Sequence, residues 1–162
     1  MSTCSDLYAG DATKIGEAFA SAGDARGGSF VLAHAELPGI VPDETGELPN
    51  SPDVMTLLAC AVAGRQPLEF SGSIAERLVG DPDPEEATNG AYRMSESWTE
   101  LFAGLTKEQA RTLAGRWLEE WDPGAHDAPE HVAGLVILLE GIVQVCRTAR
   151  ERAAAVVFTW AI

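Results

Sequence analysis

A chain of 162 residues that is 46% hydrophobic and 22% charged, with four Trp, is long enough to bury most of its apolar surface and too apolar to be disordered. Its 11 Lys and Arg against 25 Asp and Glu leave a formal charge of −14, a surface that repels a phosphate backbone and argues against nucleic-acid binding. Cys4, Cys60 and Cys146 are odd in number and widely spaced, which excludes a paired disulfide framework and reads as reduced core thiols.

Met1 to Leu7 is polar and acidic, without the basic-then-apolar order of a secretory signal, and the apolar runs are read as interrupted short of a membrane span. The expectation is a cytoplasmic protein with no membrane partner. Ser5 to Ala9 predicts a short strand with Leu7 and Ala9 on one side, Gly10 and Asp11 a turn and N-cap, and Ile15, Ala18, Phe19 and Ala22 a helix that Gly23 stops. Nothing there repeats the glycine pattern of a phosphate-binding turn. Ser29 to Leu37 alternates as a strand, and Pro38 to Pro52 carries the turn dipeptides of a long surface loop.

Ser51, Pro52 and Gly64 bracket a helix that is apolar around most of its circumference and so expected to be deeply buried. Leu68 and Phe70 suggest a short strand. Ser73 with Glu76 has the spacing to cap one or two helical turns ended by Gly80, and Asp81 to Gly90 reads as a second exposed loop before a brief strand over Ala91 to Met94. Two capping boxes follow, Ser97 with Glu100 and Thr106 with Gln109, separated by Gly104. Beyond the second, Ala110, Leu113, Ala114, Trp117, Leu118 and Trp121 share one face of a helix stopped by Asp122-Pro123-Gly124.

The closing stretch organises the rest. From Asp127, with Pro129 and Glu130 in capping positions, Val132, Leu135, Val136, Leu139, Ile142, Val143, Cys146 and Ala149 recur at three- and four-residue steps. Ala155 to Ile162 is then apolar on both alternating sets, the pattern of a strand covered on both faces and placed inside a sheet. The order of elements predicts a single α+β domain over residues 1–162: a small mixed β-sheet, helices packed mainly on one side, and a C-terminal helix followed by a buried C-terminal strand.

The layout resembles the YfbM-like family of bacterial proteins. The similar parts are the apolar helix from Val54 to Ala63 running through Gly64 into Pro67-Leu68, the Gly90 to Met94 segment leading into a capped helix, and the closing helix with its strand. The chain departs at its N-terminus, where it lacks the Gly-Met-Ile-like opening of that family. The resemblance implies a fold; no functional residue is carried over from it.

Candidate chemistry is sparse. His34 and Glu36 fall on one face of a predicted strand, about 7 Å apart along the backbone, and could form a ligand-binding or enzymatic pocket with Tyr92; the plainer reading is a solvated strand end. His126, Asp127, Glu130 and His131 have ligand chemistry, but Pro129 and the predicted cap take His126 off the helix, so capping is the better account and no metal or cofactor is expected. Arg147, Arg150 and Arg152 could take a phosphate or carboxylate, yet cations near a helix C-terminus are favoured by the dipole alone. No catalytic residue stands out.

Carboxylates concentrated in loops are the distinctive asset: Asp43, Glu44 and Glu47 in one, Asp81, Asp83, Glu85 and Glu86 in the other. Such loops can hold a basic protein without catalytic geometry. The leading expectation is therefore a non-enzymatic protein of the immunity or inhibitor type; the alternative is a small-molecule site near His34, Glu36 and Tyr92.

Overall fold

The computed structural model describes residues 4–22, 74–81, 87–121 and 129–161, of which 4, 5, 22, 117–121 and 129–131 are described by backbone alone. The reading of Ser29 to Leu37, the buried helix after Ser51 and the strand near Leu68 lies outside them. In chain order the described elements are β1 (Cys4–Gly10), α1 (Ala12–Ala22), β2 (Ala75–Gly80), β3 (Asn89–Met94), α2 (Glu96–Ala103), α3 (Lys107–Trp121), α4 (Pro129–Glu151) and β4 (Ala155–Ala161). This is the expected α+β class.

The four strands form one sheet in the order β1-β4-β3-β2, and every described pairing is antiparallel, where the sequence suggested a mixed sheet. β4 pairs with β1 along its whole length, Cys4 opposite Ala161 to Gly10 opposite Ala155, and with β3 from Asn89 opposite Ala161 to Arg93 opposite Val157. It is therefore an inner strand, and Val156 to Trp160 are all buried. That explains why neither alternating set is polar: each set meets its own helical layer.

On one face Leu7, Ala9, Met94, Val156, Phe158 and Trp160 pack with Trp98 and Phe102 of α2, Leu113 of α3, and Leu139, Ile142 and Cys146 of α4. On the other, Tyr8, Ala91 and Val157 meet Ile15 and Phe19 of α1. Among the described residues, three helices thus cover one face and one covers the other. Asp11 caps α1 by accepting the Lys14 amide at 3.1 Å. The register between β2 and β3 shifts at Leu78, and Leu78 and Val79 both pack into the α1 layer there.

Three further sequence expectations change. Ala75–Gly80 is a strand rather than helical turns begun by Ser73 and Glu76, because its backbone pairs with β3. The N-cap of α2 is Ser95, whose Oγ accepts the Trp98 amide at 3.2 Å, so Ser97 and Glu100 form no capping box. Within α4, the 20 residues Val132–Glu151 are long and apolar enough to cross a membrane, contrary to the expectation that every run falls short. Here that composition serves packing: Leu138, Leu139, Ile142, Val143, Val145, Cys146 and Ala149 are buried in the core.

Candidate functional site

The hairpin of β2 and β3 carries candidate chemistry at both ends. At one end Gly80 faces Gly90 and the chain from Asp81 to Thr88 connects the strands. Gly80 has φ 117°, and a Cβ there would stand 2.8 Å from the Asn89 carbonyl oxygen, so this exit from the strand requires glycine. Asp81 follows it, exposed, with its own carbonyl accepting from Arg77 Nη1 at 3.4 Å. Asp83, Glu85 and Glu86 belong to the same connection and lie outside the described residues, as do Asp43, Glu44 and Glu47.

Tyr92 is described, whereas His34 and Glu36 are not, so the structure does not bring that set together. Tyr92 lies half-buried with its ring tilted 34° to Phe158 at 6.5 Å between centroids. It folds back over Gly90: a Cβ on Gly90 would meet Tyr92 Cε2 at 2.7 Å, Trp160 Nε1 at 2.8 Å and the Tyr92 hydroxyl at 3.2 Å. Glycine at this position is thus a packing requirement, filled by two aromatic rings. The buried Trp160 Nε1 has no hydrogen-bond partner among the described residues.

At the hairpin's other end, where β3 turns into α2 and α4 returns into β4, a cleft of about 680 Å³ opens. Small and apolar residues are part of its lining, Ala153, Ala154 and Ala155 at the surface with Ala149 and Val156 buried behind them. Charged residues of both signs line the rest: Arg93 and Arg150, with Glu76, Glu96 and Glu100. The α4 terminus that shapes it is a Schellman turn, in which the Ala154 amide donates to the Ala149 carbonyl at 2.8 Å and the Ala153 amide to that of Arg150 at 3.2 Å. Ala153 holds the left-handed position, φ 50°, usually given to glycine. The sequence reading singled out neither Arg93 nor Glu96 and did not anticipate this cleft.

The arginine cluster is divided. Arg147 Nε donates to the Ala103 carbonyl at 3.1 Å and its Nη2 to the Leu105 carbonyl, so its guanidinium closes the end of α2. Arg150 Nη1 lies 3.7 Å from Glu100 Oε2, both about half exposed. Arg152 stands exposed past the helix end. Burial pushes the Cys146 thiol far above its ordinary range and the charge of Glu100 adds to this, so the thiolate nucleophile is suppressed. Cys146 is free and buried, as its sequence context predicted, whereas Cys60 lies outside the described residues.

Among the described residues no three His, Cys, Asp or Glu side chains gather as a metal site. Compared with protein families, with curated proteins and with solved structures, the chain has no match.

Proposed function

We propose that this chain works by holding a basic protein against its acidic β2–β3 connection, as an immunity or inhibitor factor does in the cytoplasm of a bacterium. The observation that carries the reading is the placement of Asp81, exposed at the exit of β2, at the head of a connection that holds three further carboxylates within six residues. The strands at both ends of the connection are paired within the sheet, and a formal charge of −14 draws a cationic partner from a distance. Asp43, Glu44 and Glu47 add further carboxylates to the sequence.

Capture from native lysate tests the reading, with Asp81→Lys, Asp83→Lys, Glu85→Lys and Glu86→Lys combined as the control. A basic protein is expected on the wild-type chain and at least about tenfold less on the variant, a difference of about 1.4 kcal/mol. Raising salt from 0.15 to 1 M contracts the screening length from about 8 to about 3 Å and weakens such a complex. A lysate that yields no basic partner overturns the proposal, as does capture indifferent to both charge reversal and salt.

A further inference from the structure

We draw no further inference here: the strongest candidate, the outward apolar patch on the first half of α4, where Ile137 is 56% exposed beside the exposed Ala133 and Gly134, is a helix face for which nothing in the structure shows what covers it.

Discussion

Arg147 shows how one side chain can carry two elements. It belongs to α4, yet its guanidinium reaches the carbonyls of Ala103 and Leu105, which the end of α2 leaves without helical donors. Helices need such partners when their last turn is buried, and Ala103 and Leu105 are both buried. Replacing Arg147 with Met keeps most of the aliphatic stem and removes the donors. The variant is expected to lose about 2 kcal/mol, the scale of hydrogen bonds to a charged group. Urea denaturation should show this as a lower midpoint at an unchanged slope. Arg147→Lys should recover only part of the loss, since a single ammonium does not reproduce the fork. Cys146 and Ala149, on the same helix, face inward and were legible from helical spacing; the role of Arg147 was not, because its partners lie more than forty residues away.

At the scale of the element, two serines compete for one helix start. Ser97 is followed by Glu100 at capping-box spacing, and Ser95 is followed by Trp98, which cannot return a side-chain bond; local pattern therefore favours Ser97. The hairpin decides otherwise. The Ser95 amide donates to the Ile74 carbonyl at 2.7 Å, which holds Ser95 extended at φ −66° and ψ 156° as the last residue tied to the sheet. Helix can only begin after it, and its Oγ then accepts the Trp98 amide. Ser95→Ala should cost about 1 kcal/mol, whereas Ser97→Ala, whose hydroxyl among the described residues meets Ser95 Oγ at 3.0 Å and no backbone amide, should stay within about 0.5 kcal/mol. Thermal unfolding of the two variants checks the difference. The same competition explains Glu76: Ser-x-x-Glu fits a cap locally, but pairing with β3 supplies more hydrogen bonds than an isolated turn. Thr106 and Gln109 face no such rival, and their reciprocal box is present, the Thr106 amide donating to Gln109 Oε1 at 2.9 Å and the Gln109 amide to Thr106 Oγ1 at 3.2 Å.

At the scale of the whole molecule, the fold joins the two ends of its sequence. β1 pairs only with β4 among the described strands, and β3 is joined to β1 only through β4. Contacts so distant in sequence are closed late and at an entropic cost, so the sheet depends on β4 arriving after both flanking pieces exist. The periodicity of residues 155–161 predicted burial on both faces; it did not predict which strands would flank it, because pairing partners are chosen by geometry that no local window contains. Removing residues 155–162 should consequently do more than shorten the sheet. It deletes Val156, Val157 and Phe158, all fully buried, together with Trp160, and each such side chain contributes about 1.5–3 kcal/mol by burial. It also unpairs β1 and one edge of β3, leaving both helical layers without the strand that separates them. The combined loss is comparable with the roughly 5–15 kcal/mol by which a domain is stable. A chain ending at Ala154 is expected to give no cooperative thermal transition and no near-ultraviolet dichroism from its remaining tryptophans. If it still unfolds sigmoidally, the remaining strands and helices carry the fold without β4, and the sheet is not organised around its last strand.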